Sequence, residues 1–267
     1  MHSLFLAMIL GIVEGFTEFL PISSTGHLIV AERILHFKDP NDVFTTVIQI
    51  GAMAAVVWFF RKDIWQKIQG LFRKDKPAIH FWTILVLATI PAGLVGLILD
   101  KHMNSITTPT VVAITMIIGG VILWLVENIH HAYKQQQEIE LEKVSTRQAV
   151  WVGLAQAVSI IPGTSRSGAT ITGGLLTGLD RPTAAAFSFY LGIPILFLAS
   201  VFKLLKHGSE IKTVSGGWAA VIVGTIFAFI TALLAISWLL RYISKHSFKP
   251  FAYYRIVMGT LILLFIH

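Results

Sequence analysis

The chain has 267 residues, 55% of them hydrophobic and only 13% charged, where an ordinary soluble domain carries about 25% charged residues. It has no cysteine, which excludes disulfides and thiolate chemistry. With a mean hydropathy of +0.73 it reads as an integral membrane protein; its net charge of +7 falls in short loops between apolar runs, where it sets topology and meets anionic lipid, so no nucleic-acid partner is expected.

The first apolar run, 4–20, does not read as a cleaved leader, because no basic region precedes it and no small-residue cleavage site follows. It runs into "EGFTEFLPISSTGH", Glu14 to His27, which places two carboxylates, several hydroxyls and a histidine in greasy sequence. A short apolar arm, 28–35, follows. Neither arm is long enough to span easily, and Pro21 and Gly26 interrupt the pair. The pattern predicts a re-entrant helix–loop–helix, which is tolerated at membrane depth only where protein or a wet cavity surrounds it. Spans are predicted at 42–60, 80–99 and 109–127. A second interrupted stretch, "QAVSIIPGTSRSGA" (Gln156 to Ala169), sits between arms 148–161 and 169–177. Further spans are predicted at 183–203, 217–240 and 250–266. The expected fold is all-α: a single polytopic membrane domain over 1–267, with six transmembrane helices and two re-entrant pairs.

Basic residues orient it. The 61–78 loop carries Arg61, Lys62, Lys67, Arg73, Lys74 and Lys76; the 128–148 loop carries Lys134, Lys143 and Arg147; the 241–249 loop carries Arg241, Lys245 and Lys249. The 100–108 loop has only Lys101, and 204–216 only Lys206 and Lys212. The first three loops are therefore expected in the cytoplasm and both termini outside.

The two halves look related. Gly11 and Gly153 begin the interrupted stretches and Gly26 and Gly168 end their loops; Gln49-Ile50-Gly51 parallels Tyr190-Leu191-Gly192, and Pro109 parallels Pro250. This predicts a duplication, with residues 1–130 as one repeat and 148–267 as a second. Three spans per repeat is an odd number, so the second must be inverted. Its loop then enters from the cytoplasm and meets the first near the middle, where inverted repeats place their substrate sites.

Glu14 and Glu18 are four apart and share a helix face. Two intramembrane carboxylates need a cation, a shared proton or water, and oxygen-only ligands favour Mg²⁺ or Ca²⁺. Alternatively they are hydrogen-bonded to buried backbone. After them, Ser23, Ser24 and Thr25 can hold anionic oxygens together with freed N–H groups. His27 is the only histidine in either stretch and can transfer a proton, attack as a nucleophile or serve as a structural donor. The other nine, near termini, loops and span ends, are expected to be solvated. The second loop, with Gly163, Thr164, Ser165, Arg166 and Ser167, adds a planar guanidinium suited to phosphate oxygens, or one that merely pairs with Glu14 or Glu18. Gln156 stands opposite Glu14 in the repeat. Arg255 sits just inside the last span; it either reaches the second loop or, on the favoured reading, snorkels to the headgroups. Together these parts suggest a phosphate or pyrophosphate, carried by a lipid, held between two loops.

"EGFTEFLPISSTGH" and "PGTSRSGAT", with "VIQIGA" and "FKPFAYYR", resemble the signature motifs of the undecaprenyl-diphosphatase, or bacitracin-resistance, family along essentially the whole chain. The resemblance implies a bacterial inner-membrane enzyme that converts undecaprenyl diphosphate to undecaprenyl phosphate and inorganic phosphate, recycling the carrier lipid for peptidoglycan synthesis. It also implies interleaved inverted repeats and a divalent cation. Glu14 and Glu18 match the family's essential acids, Ser24 and His27 its catalytic candidates, and Arg166 with Ser165 its phosphate-binding segment. Attack by Ser24, by His27 or by water stays open, with Ser24 favoured. The pocket is expected to open to the outer face, and a homodimer stays open. A transporter of undecaprenyl phosphate is the competing reading, since opposed re-entrant loops are typical of transporters. The concentration of acid–base groups in one loop favours the enzyme.

Overall fold

The computed structural model describes residues 1–132 and 141–266, and among these it is helical with no strand. The first interrupted stretch folds as α1 (His2–Thr17) and α2 (Ser24–Leu35), joined by a six-residue break at 18–23. The first span, α3 (Val43–Phe59), follows. The 61–78 segment, expected as a loop, instead holds helix α4 (Arg61–Phe72). Its charge hid its pattern: Lys67 and Gly70 turn inward, while Trp65, Leu71 and Phe72 are exposed among basic residues. Such a helix suits the membrane interface.

The chain continues through α5 (Lys76–Leu99), the short α6 (Met103–Ile106) and α7 (Pro109–Ala132). The second interrupted stretch is α8 (Thr146–Val158) and α9 (Arg166–Leu176). Then come α10 (Arg181–His207), which runs past the expected end at 203, α11 (Gly217–Ile243) and α12 (Lys249–Phe265). Among the described residues five helical segments are long and apolar enough to cross a membrane: 40–59, 76–102, 109–130, 181–213 and 217–243. Only 22–50% of each apolar window is buried inside the protein, which leaves the rest to face lipid. Helix α12, expected as a sixth span, has 17 residues and is about 26 Å long.

The two halves are packed through one another. Helix α1 lies along α11, and α8 along α5. A Cβ added to Gly11 would come within 2.9 Å of the Gly224 Cα, and one on Gly153 within 2.7 Å of the Ala88 Cα. These glycines let backbones touch where no hydrophobic force separates helix from lipid tail. Helix α12 packs along α7, and α10 packs against α3, α5 and α9.

Polar knots fix one end of the bundle. Fully buried Glu127 of α7 accepts from Arg181 Nε at 2.9 Å and Nη2 at 2.7 Å, and from the Phe248 N–H at 3.0 Å. Buried Lys67 pairs with Asp63 at 2.5 Å and with Glu142, and the Tyr190 hydroxyl donates to Asp63. Of the histidines expected to be solvated, His130 is buried beside this end. Lys143 and Arg147 lie here in sequence, while Lys134 falls outside the described residues.

Candidate active site

Both breaks in the interrupted helices turn on a serine with positive φ. Ser23 (φ 71°, ψ 96°) caps α2, and Ser165 (φ 69°, ψ 113°), 142 residues later, caps α9. Their side chains accept from the N–H groups of Gly26 at 3.4 Å and Gly168 at 3.1 Å. A left-handed non-glycine residue costs on the order of 1–3 kcal/mol, so both turns are held by their surroundings. Gly163 (φ +86°) completes the second turn, where a Cβ would collide with the Val112 backbone.

The turns meet. Ser167, 1% exposed, donates to the Leu20 carbonyl at 2.8 Å, so it joins the loops instead of facing the cavity. Ser165 and Ser167 are 3.1 Å apart. Arg166 Nη2 reaches Glu18 Oε1 at 3.2 Å, while Nη1 donates to the Ser188 carbonyl of α10 at 2.8 Å and its Cζ sits 5.6 Å over the Phe19 ring. The Arg166 side chain is only 9% exposed, and its Nε has no partner. The other Glu18 oxygen accepts from Ser24 Oγ at 2.6 Å. Hydroxyl, carboxylate and guanidinium thus form one continuous chain across the two halves.

Glu14 lies one turn behind Glu18, fully buried, and neither of its oxygens meets a donor. Gln156, which the sequence sets opposite Glu14, is buried in α8 and donates to the Ala88 carbonyl at 3.3 Å. Two stacked carboxylates, one without a donor, fit a divalent cation. Among the described residues no group of three or more His, Asp or Glu forms a cage.

His27 faces the other way. Its Nδ1 is 2.7 Å from the Ser23 carbonyl oxygen and its Nε2 is 2.7 Å from the Tyr254 hydroxyl of α12. The two rings stack at 5.5 Å with planes 2° apart. Neither His27 nor Glu14 lines the cavity that opens from the site. Arg255, expected to snorkel, is 1% exposed. Turn carbonyls hold it in: it donates to Thr164 O at 2.8 Å, Gly163 O at 3.3 Å and Pro21 O at 3.5 Å, and to Thr115 O and Met116 O of α7. Their combined polarity outcompetes the headgroups.

The cavity, about 520 Å³, starts at Glu18, Ser24 and Arg166 and ends near Asp100 and Lys206, an ion pair between the ends of α5 and α10. Ser23, Thr25, Gly163 and Ser165 line its floor; Thr164 does not. One wall is polar, with Glu32, Asp42, Thr45 and Gln49. The lining from α5 and α10 is apolar near the site, with Gly93, Gly96, Leu97 and Leu198, and gains charge at its far end with Lys203, Lys206 and His207. Sequence reasoning passed over Ser188, and it marked Gly192 as a repeat position and Tyr254 within FKPFAYYR without giving either a place in the site; the polar pair Tyr254-Arg255 inside an apolar helix was the available signal for the last.

Fold and site define a polytopic membrane protein in which two interrupted helices present an acid, a hydroxyl and a buried guanidinium to a half-apolar cavity. Residues 7–261 match the family of the bacitracin resistance protein BacA. The chain is 46% identical over 267 residues to Undecaprenyl-diphosphatase 1 of Chromobacterium violaceum, covering 97% of this chain and 95% of that protein. It is 44% identical to Undecaprenyl-diphosphatase of Cupriavidus metallidurans (97% and 94% covered) and 40% identical to that of a Thermoanaerobacter species (100% and 98%). The chain belongs to the BacA family.

Proposed function

We infer that the protein hydrolyses undecaprenyl diphosphate to undecaprenyl phosphate and inorganic phosphate in a bacterial inner membrane. The carrying observation is the Ser24–Glu18–Arg166 chain, with contacts of 2.6 and 3.2 Å, on a cavity lined by both polar and apolar side chains. The lipid diphosphate needs both: donors for its phosphates and a greasy surface for the first isoprene units.

In this reading Arg166 leans from Glu18 onto the distal phosphate, its unpartnered Nε supplying a further donor. Glu18 takes the proton of Ser24 as Oγ bonds to the distal phosphorus, and the bond to the bridging oxygen breaks. Undecaprenyl phosphate leaves. Water then attacks the phosphoserine phosphorus, the bond to Ser24 Oγ breaks, Glu18 returns its proton to that oxygen, and phosphate leaves with the water's oxygen and its protons. Positioning and charge neutralisation supply most of the rate in such transfers. Glu14 and Glu18 are the residues that would hold a divalent cation, which when bound neutralises phosphate charge.

Matched serine turns at Ser23 and Ser165, and the packing of α1 on α11 and of α8 on α5, support the inverted repeat with two re-entrant pairs, in which α12 is the sixth span. The cavity ends beside Asp100 and Lys206, in the loops poor in basic residues, which supports an opening to the outer face with both termini outside.

The test is phosphate release from a polyprenyl diphosphate by purified full-length protein in detergent. Glu18→Gln, Ser24→Ala and Arg166→Ala should remain folded and lose nearly all turnover, and rapid quench should trap phosphoserine at Ser24. Wild-type protein that releases no phosphate with any divalent cation would sink this reading and favour transport.

A further inference from the structure

Resting on the phosphatase reading, we propose that His27 is a positioning residue and that Tyr254 is its anchor: together they hold the strained Ser23 turn that aims Ser24 at Glu18.

The hydrogen bonds decide the ring's chemistry. A backbone carbonyl only accepts, so the Nδ1 nitrogen, 2.7 Å from the Ser23 oxygen, must carry a proton. In the neutral ring that leaves Nε2 as the sole basic nitrogen. Nε2 is 2.7 Å from the Tyr254 hydroxyl, which donates to it. No lone pair is left to take a proton from Ser24 or to attack phosphorus. Protonating the ring does not free it either, because both nitrogens then donate to the same two oxygens. The near-parallel stacking on Tyr254 resists rotation of the ring towards the cavity, which His27 does not line.

What His27 does hold is the carbonyl of Ser23. That residue sits at φ 71°, and the next carries the hydroxyl bonded to Glu18. The Ser23 peptide has two further local restraints: its side chain accepts the Gly26 N–H, and its carbonyl also receives the His27 N–H at 3.4 Å. Removing the imidazole removes the shortest of the contacts holding the turn. Tyr254 comes from α12, and its neighbour Arg255 donates to the Pro21 carbonyl two residues before Ser23. One turn of α12 therefore sets the turn from both sides.

Two measurements separate positioning from proton transfer. The first uses ¹⁵N-histidine NMR on the full chain in detergent, with the His27→Asn spectrum identifying the signal. The ring should show the Nδ1–H tautomer, and Tyr254→Phe should shift it towards a mixture. The Nε2–H tautomer in wild type would overturn the proposal whether or not the phosphatase reading holds. The second is a rescue. An asparagine amide nitrogen falls near the place of Nδ1 and a glutamine amide nitrogen near that of Nε2. His27→Asn should keep kcat within about tenfold of wild type, while His27→Gln and His27→Ala lose roughly 100-fold, the cost of misplacing a reacting group by about 1 Å. Tyr254→Phe should lower kcat several-fold with KM unchanged. An asparagine variant as inactive as alanine in folded protein, or phosphohistidine trapped at 27, would overturn the assignment. Inactive wild type would instead overturn the phosphatase reading and leave the tautomer to decide this one.

Discussion

Gly192 offers a direct test of whether Arg166 is held in place by α10. A Cβ at this position would sit 3.0 Å from Cζ, Nη1 and Nη2 of Arg166. Ordinary contacts between such atoms are about 3.5–4.0 Å, so in Gly192→Ala the guanidinium must retreat by roughly 0.5 Å. Its Nη1 is tied at 2.8 Å to the Ser188 carbonyl, one turn earlier on the same helix. The retreat stretches that bond to about 3.3 Å, beyond the usual range. Losing a charge-assisted hydrogen bond costs about 1.5–3 kcal/mol. If Arg166 works on the transferring phosphoryl group, kcat/KM falls about 10- to 150-fold. The fold should not suffer, because alanine is better than glycine in a helix by about 0.8–1 kcal/mol. The assay pairs phosphate release with a thermal melt of the detergent-solubilised protein. Wild-type kcat/KM in Gly192→Ala would refute the reasoning, as would a loss of activity accompanied by a large drop in melting temperature.

Other outcomes follow from the same geometry. Arg255→Met strips donors from five carbonyls, three of them in buried contacts, and should destabilise the protein by about 3 kcal/mol or more, read as a lower melting temperature. Gly153→Leu forces α8 away from the Ala88 backbone and should cost about 1–3 kcal/mol by the same melt, through overpacking. Glu14→Gln should raise the divalent-cation concentration needed for half-maximal phosphate release by about tenfold or more, leaving the melt close to wild type; an unchanged cation requirement would remove Glu14 from the proposed metal site.

The interrupted stretches were readable because their chemistry is out of place: carboxylates, hydroxyls and an arginine in apolar sequence have few structural uses. That Arg166 meets Glu18 follows from opposing the two loops, and the sequence supported that arrangement through paired glycines. Other features were not legible, for identifiable reasons. Arg255 looked like a snorkelling side chain because its partners are backbone carbonyls, and carbonyls are invisible in a list of side chains. Helix α4 was hidden by its charges, since a basic amphipathic segment and a basic loop have the same composition. His27 had the right neighbours in sequence, yet its direction depends on Tyr254, which lies 227 residues away.

The ion pair between Glu18 and Arg166 also bears on ancestry. Each half of the chain owns only one member of it, and each half lends an arm to the other's bundle. A lone half would leave a raw seam and an unanswered charge. If the halves descend from one copy, as the proposed inverted repeat has it, that copy worked as a pair of identical chains facing opposite ways, both loops carrying every group. Fusion would then free each loop to shed what its twin retained, which accounts for Glu14 on one side and Gln156 on the other.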